Sequence, residues 1–144
     1  MKKVLMLLPI LGLLISLTAC GSDSISFSQG IGLQPGEVAS ISLRNGNTGD
    51  VFDITDYDVI EGLFNDLADC RFVRDKEQKA REGWAYYIDV YPKDGEGYVR
   101  YATTTGFTKF SGFSHDMIEG VYFPEDGQVQ AVLEKLYQSL SKKA

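Results

Sequence analysis

The sequence predicts one α+β domain, built on a single antiparallel sheet of about five to six strands with two amphipathic helices on one of its faces. Three observations lead to this fold class. Several short segments alternate apolar with polar residues or are rich in aromatic and β-branched residues, as strands are. Short turns rich in Gly, Asn, Asp and Pro separate most of them, and two longer segments carry an apolar stripe at helical spacing. The element order expected is β-β-α-β-β-β-β-α.

A hairpin and a helix are predicted in the first half of the domain. Apolar residues alternate with polar ones over 39–44, and the turn sequence NGNTG at 45–49 leads to a return strand at 51–54. Thr55 is the expected helix cap, with Asp56 and Asp58 in the first turn, where the helix dipole favours acids. The helix is expected to end near Asp69. Its apolar stripe consists of Ile60, Leu63, Phe64 and Leu67.

The second half is predicted to be mainly strands, followed by a closing helix. The segment WAYYIDVY at 84–91 is the strongest strand signal, because it is rich in aromatic and β-branched residues. Further strands are expected at 71–74, 98–104, 107–111 and 119–123. After the turn PEDG at 124–127, a helix is predicted from the stripe Val129, Val132, Leu133, Leu136, Tyr137 and Leu140.

The first twenty residues are laid out as an export signal. Two lysines precede an uncharged apolar stretch over 4–19, which is shorter than the roughly 20 residues that a membrane-spanning helix needs. The stretch ends in Leu17, Thr18, Ala19 and Cys20, which resembles the lipobox of bacterial lipoproteins. The resemblance implies that Cys20 is acylated and becomes the first residue of the mature chain. An ordinary secretory cut after Ala19 is the alternative, but Leu17 fits its small-residue pattern poorly.

This assignment divides the chain into three parts. Residues 1–19 are the predicted signal peptide, 20–36 are a lipidated cysteine with a Ser/Gly-rich tether, and 37–144 are the domain. Apolar residues at 25, 27, 31 and 33 leave open the alternative that part of the tether docks on the domain. The expected location is the cell membrane, lipid-anchored and facing away from the cytoplasm. The domain pattern is similar to that of small surface lipoproteins of Gram-positive bacteria, an architecture that carries no specific motif.

Charge and cysteine content exclude several classes of function. The chain has a net charge of −6, and removal of Lys2 and Lys3 leaves 12 basic and 20 acidic residues, or −8. Nucleic-acid partners and adhesion to anionic lipid both require basic patches, so the acylated Cys20 is the expected contact with the bilayer. With Cys20 acylated, Cys70 has no partner for a disulfide, and we expect it to be a buried, inert thiol.

No pattern in the sequence predicts catalysis. The triplet Ser-His-Asp around His115 cannot form a catalytic triad, since contiguous side chains do not converge on one point, and a loop histidine is expected. The acidic run from Asp50 to Asp58 lacks the spacing of an EF-hand and is explained by turn and helix-start positions. We therefore predict a non-enzymatic chain with no catalytic residues, no metal site and no cofactor.

Strand alternation predicts a candidate binding face. In 84–91 the more apolar set faces the helices, namely Trp84, Tyr86, Ile88 and Val90. The opposite face is expected to carry Tyr87, Tyr91, Tyr98 and Arg100. Tyr and Arg are enriched where proteins bind partners, although cross-strand tyrosines also simply stabilise exposed sheets.

Three functions follow from these observations, in order of preference. The first is a membrane-anchored binding or accessory domain whose partner is an envelope protein, a peptide or a glycan. The second is an inhibitor or immunity-type protein that blocks an envelope hydrolase through a protruding loop at 106–116. The third is a small hydrolase that uses a pair of carboxylates.

Overall fold

The computed structural model describes residues 23–77, 85–111, 114–117 and 121–143, and within them it confirms the α+β class. The predicted signal peptide and Cys20 lie outside these residues. The elements in chain order are β1 (Ser24–Ser26), α1 (Phe27–Ile31), a 3₁₀ turn (Pro35–Glu37), β2 (Val38–Asn45), β3 (Val51–Ile54), α2 (Tyr57–Asp66), β4 (Arg71–Arg74), β5 (Tyr86–Pro92), β6 (Tyr98–Ala102), β7 (Gly106–Ser111), β8 (Ser114–Met117), β9 (Tyr122–Pro124) and α3 (Gln128–Ser141).

The strands form two antiparallel sheets, so the prediction of a single sheet is wrong. The larger sheet has six strands in the order β3-β2-β5-β6-β7-β8, and the smaller has three in the order β1-β4-β9. The larger sheet is mostly a series of hairpins, which local turn signals predict well. In the smaller sheet Val73 lies opposite both Ser24 and Phe123, which come from the two ends of the domain. Such long-range pairing leaves no local pattern in the sequence.

The segment predicted as a tether is largely part of the folded domain. Strand β1 pairs with β4, and Ser26 then caps α1 in a capping box with Gln29. Phe27 is fully buried and Ile31 is 2% exposed, so α1 contributes directly to the core. The segment from Ser24 therefore docks on the domain, which is the alternative that its apolar residues left open, because these side chains gain more by packing than Ser and Gly lose by ordering.

The two longer helices occupy the predicted positions and pack on the same face of the larger sheet. In α2 the residues Ile60, Leu63 and Phe64 are buried, and in α3 Val129 and Leu133 are fully buried. The N-cap of α2 is Asp56, one residue after the Thr55 that we predicted, and its carboxylate accepts from the Asp58 amide. Both residue types cap well, and the sequence alone does not separate adjacent candidates.

An aromatic cluster joins the two sheets and α1. The Phe27 ring lies 5.2 Å from that of Phe64, and Phe72 of the smaller sheet lies 5.3 Å from Tyr101 and 4.9 Å from Phe107. Edge-to-face and tilted pairs at these separations are favourable beyond their buried area. The cluster fixes α1 and the smaller sheet on the same side of the larger sheet as the helices.

Two predicted features near the C-terminal half differ in the structure. Strand β8 was not predicted, and its backbone places His115 opposite Phe110 in an antiparallel pair, so His115 lies on a strand and not in a loop. The last strand was predicted at 119–123 and is described at 122–124. Trp84, which we assigned to the inward set of β5, lies outside the described residues.

Candidate functional site

The structure places all four residues of the predicted binding face on the same side of the larger sheet. On β5 and β6 the inward residues Ile88 and Tyr101 are fully buried against the core. On each strand, the residues that alternate with these point to the opposite face, because the side chains of a strand alternate between the two faces of the sheet. Tyr87, Tyr91, Tyr98 and Arg100 are all half-buried there. Their common side is therefore the face opposite the helices and the smaller sheet.

An ion pair at the centre of this face was not predicted. Arg100 lies opposite Asp89 in the register of β5 and β6. Its Nε donates to Asp89 Oδ1 at 2.6 Å and its Nη2 donates to Oδ2 at 2.8 Å, a bidentate arrangement. The hydrogen bonds to Asp89 raise the pKa of the Arg100 guanidinium above its usual value, while partial burial opposes this shift. Asp89 itself is only 5% exposed, so the pair is shielded from water on the carboxylate side.

Tyr87 lies beneath two cations. The Arg100 guanidinium carbon is 4.2 Å from the centre of the Tyr87 ring, and that of Arg44 on β2 is 5.6 Å away. Arg44 is opposite Tyr87 in the pairing of β2 with β5. Both distances lie within the range of a cation–π interaction. The aromatic side chain and the buried carboxylate together hold Arg100 in one orientation.

A second aromatic feature, which we call the aromatic row, consists of Tyr91, Tyr98 and Phe110. The rings of Tyr91 and Tyr98 are 5.2 Å apart, and those of Tyr98 and Phe110 are stacked at 4.7 Å with an interplanar angle of 12°. Tyr98 and Phe110 are register partners in β6 and β7. Burial, followed by the nearby Asp89 charge, raises the pKa of Tyr91. The aromatic row covers three neighbouring strands at one end of the larger sheet.

Sequence reasoning missed Phe110, although a signal for it was present. Phe107 and Phe110 lie three positions apart on β7, so strand alternation puts them on opposite faces. Phe107 is fully buried in the core, which leaves Phe110 on the face of Arg100, whose guanidinium carbon is 5.3 Å from its ring centre. The alternation of β7, read together with that of β5 and β6, is therefore the signal that places Phe110 on this face.

The face carries no excess of either charge among the side chains that the structure describes on it. Arg44 and Arg100 are matched by Asp89 and by Asp53, which lies opposite Ser42 on the neighbouring β3. This balance contrasts with the net charge of −6 of the whole chain. A neutral aromatic patch on an acidic protein resembles the composition of a protein–protein contact more than that of an ion-binding site.

The remaining candidate residues have structural roles. Cys70 is 4% exposed, its Sγ lies 4.0 Å from the Gln128 side chain, and burial raises the pKa of its thiol, which describes an unreactive cysteine. In the acidic run, Asp50 accepts hydrogen bonds from the hydroxyls of Tyr137 and Thr48, and these bonds, the one from Tyr137 first, lower its pKa. Within the described ranges, no cluster of three His, Cys, Asp or Glu residues could hold a metal ion.

Several grooves lie at the surface of the described residues, and two of them border elements already named. One of about 400 Å³ is bordered by the end of α1, the turn 93–97 and Tyr98 at the edge of the aromatic row. The other, of about 180 Å³, is an apolar cleft between α2 and α3, crossed at its rim by Lys135 and Asp66 at 3.7 Å. The segment 106–116, predicted as a protruding loop, instead contributes β7 and most of β8 to the larger sheet.

Comparison with models of known protein families, with curated proteins and with solved structures finds no match to this chain. Among the helices that the structure describes, none combines the length and the apolar character needed to cross a membrane.

Proposed function

We propose that this chain is a bacterial lipoprotein, anchored through an acylated Cys20 on the outer side of a cell membrane, whose domain is a non-enzymatic binding module. The observation that carries the binding proposal is the face opposite the helices. It combines the aromatic row with a cation–π and ion-pair centre at Arg100, all on adjacent strands. Aromatic residues and Arg dominate the energetics of protein contacts, because they bury large rigid surfaces.

A protein or peptide partner fits this geometry better than a glycan. Sugars stack on an aromatic ring whose flat side is open to solvent. In the aromatic row, the flat sides of Tyr98 and Phe110 lie against each other at 4.7 Å, so mainly ring edges are available outward. Ring edges suit packing against apolar and aromatic side chains, and tyrosine hydroxyls add hydrogen bonds at the rim.

The other two hypotheses receive less support from the structure. The inhibitor hypothesis relied on a protruding loop at 106–116, and this segment is largely a sheet hairpin. The hydrolase hypothesis needs two carboxyl groups facing a cleft at about 5–10 Å. Asp94 and Glu96 border the groove of about 400 Å³, but both are exposed, whereas a catalytic acid is usually removed from water.

Site-specific photo-cross-linking in the intact cell envelope tests the binding proposal. Tyr91 is replaced by benzoylphenylalanine in the full-length chain, which keeps the phenyl ring and adds a photoreactive benzoyl group at a half-buried position. The matched control is the same replacement at Tyr57, which is 45% exposed on α2 and away from the aromatic row. We expect a discrete cross-linked band from position 91, sensitive to protease, and no such band from position 57. Equal cross-linking from both positions, or an adduct sensitive only to glycosidase, would contradict a protein partner on this face.

The lipid anchor is tested separately by the change Cys20→Ser. The wild-type chain is expected to incorporate labelled palmitate and to stay with the membrane after a high-salt wash. The Cys20→Ser chain is expected to do neither, since two acyl chains supply the anchoring and the acidic domain adds no electrostatic attraction. Palmitate incorporation that persists in the Cys20→Ser chain would contradict the assignment.

A soluble form for binding studies must keep the segment from Ser24 onward. Removal of residues 24–36 would delete Phe27 and Ile31 from the core together with the β1 strand. Burial of two large apolar side chains contributes several kcal/mol, of the order of a small domain's whole stability. We expect residues 23–144 to show a cooperative thermal transition and residues 37–144 to lack one, as measured by circular dichroism.

A further inference from the structure

We infer that the anchored domain is held against the bilayer in one orientation, with the end around Asp23 facing the lipid headgroups and the aromatic row at the far end. The inference rests on the proposed acylation of Cys20. It goes beyond that proposal, because an anchor on a long flexible tether would leave every surface of the domain equally free. We call the part of the domain that faces the headgroups the anchor end. It comprises Asp23, Val73, Arg74, Asp75 and Lys76.

The anchor end is fixed by hydrogen bonding close to the acylated residue. The Arg74 amide donates to the Asp23 carbonyl at 2.7 Å, directly before β1 pairs with β4. Three residue steps separate Asp23 from Cys20, so the link spans at most about 11 Å, from 3.8 Å per step. A bilayer with its headgroups is about 40–45 Å thick. The link is therefore about a quarter as long as the bilayer is thick, and it keeps Asp23 close to the membrane surface.

The anchor end lies at one end of the strands of the larger sheet. Arg74 is opposite Tyr122 in the pairing of β4 with β9. The backbone of Tyr122 in turn lies so close to Gly106 that a Cβ atom at Gly106 would overlap it. Adjacent strands are about 4.8 Å apart, so β1 lies roughly 10 Å from β9. Gly106, at the start of β7, therefore lies on the side of the larger sheet that faces the anchor end.

The aromatic row lies at the opposite end of the same strands. Phe110 is four residues beyond Gly106 on β7, a distance of about 13 Å at 3.3 Å per residue. Helix α1 leads in the same direction. Phe27, at its start, contacts Phe107, whereas Gly32, just after its end, borders the groove that Tyr98 also lines. Two independent parts of the chain therefore run from the anchor end towards the aromatic row.

The charge of the anchor end does not by itself hold it on a membrane. Arg74 and Lys76 are offset by Asp23 and Asp75 within the same groove. The orientation instead follows from the short covalent link and from the paired β1 strand. The consequence for function is that the aromatic row is presented away from the bilayer, where a protein partner of the envelope can reach it.

Depth-dependent quenching in vesicles tests the orientation. The full lipidated chain, extracted from membranes, is reconstituted in phosphatidylethanolamine and phosphatidylglycerol vesicles that contain headgroup spin labels. A fluorophore is attached through Lys76→Cys at the anchor end or through Glu96→Cys in the turn beside the aromatic row. Cys70 is 4% exposed and does not compete for the label. A second pair of variants carries twelve Gly and Ser residues inserted between residues 22 and 23.

We expect quenching at position 76 to exceed that at position 96 by roughly twofold or more, because the two positions lie towards opposite ends of β7, whose residues 106 and 110 are about 13 Å apart. The inserted linker, with a mean span of about 20 Å, is expected to abolish the difference. Equal quenching at both positions without the insertion, or stronger quenching at 96, overturns the orientation. Flotation with the vesicles is measured in parallel. A chain that fails to float overturns the lipid anchor and the orientation together, whereas flotation with equal quenching overturns the orientation alone.

Discussion

Removal of the Tyr101 hydroxyl should stabilise the domain, although this residue lies at the centre of its core. The side chain is fully buried, and its ring packs at 5.3 Å from Phe72 and 5.0 Å from Phe107. Its hydroxyl has no hydrogen-bond partner among the described residues. The change Tyr101→Phe keeps the ring contacts and deletes only the unsatisfied polar group.

The magnitude follows from the cost of burying a polar group without a partner, which is about 1–3 kcal/mol. Taking the lower limit, we expect Tyr101→Phe to raise the free energy of unfolding by about 1 kcal/mol. For a domain of this size, that corresponds to a rise in Tm of about 3–5 °C. By contrast, Tyr101→Ala should destabilise the domain by about 3–5 kcal/mol, because it opens a cavity among the aromatic rings.

The same hydroxyl predicts a difference at alkaline pH. Burial raises the pKa of Tyr101 above the ordinary tyrosine value of 10.0. A tyrosine whose pKa is higher in the folded than in the unfolded chain contributes to the free energy of unfolding. This contribution is fully present below pH 10 and is lost as the pH rises towards the pKa of the folded chain. The wild-type chain should therefore lose stability above pH 10 more steeply than the Tyr101→Phe variant.

Urea unfolding followed by circular dichroism, at pH 7 and at pH 10.5, measures both effects. At pH 7 the matched control is Tyr86→Phe on the neighbouring strand, at a side chain that is 5% exposed. The comparison at pH 10.5 is made with the wild type alone, because burial raises the pKa of Tyr86 as well. We expect the control to change the free energy of unfolding by less than about 0.5 kcal/mol. If Tyr101→Phe lowers stability at pH 7 by more than the control does, the hydroxyl is hydrogen-bonded in the fold and the reasoning is refuted.

Two further predictions concern packing and the ion pair. A Cβ at Gly30 would overlap the Phe107 ring, so Gly30→Ala should destabilise the domain by about 1–3 kcal/mol. At Gly62 on α2 nothing lies within 4 Å of such an atom, so Gly62→Ala should stabilise the domain by about 0.5–1 kcal/mol. Thermal unfolding of both variants measures the two effects, and equal shifts in Tm would contradict the tight contact at Gly30. Arg100→Met should cost about 3 kcal/mol, since it leaves the Asp89 carboxylate buried without its partner, and adding Asp89→Asn should recover part of this loss. A double variant as unstable as the sum of the single ones, in denaturant titrations, would show that the two side chains do not act as a pair.

The candidate face was predictable in part. Alternation along β5 and β6 placed Tyr87, Tyr91, Tyr98 and Arg100 on one side, because the two-residue period of a strand is a local property. The bidentate pair with Asp89 was not predicted, since it depends on the register between strands. Alternation puts Asp89 on the same face as Tyr87 and Tyr91, but its near-complete burial arises from the aromatic and Arg side chains around it.

The sequence by itself determined the features that depend on neighbouring residues. These are the α+β class, the apolar stripes of α2 and α3, the hairpins of the larger sheet and the faces of its central strands. The apolar residues after Ser24 indicated that this segment could dock, but only the tertiary structure decided that it does so, and that β4 pairs with β1 and β9 in a second sheet. The physical reason is that pairing between distant segments depends on which strand edges and apolar surfaces remain uncovered when the whole chain has folded. No local pattern records that outcome.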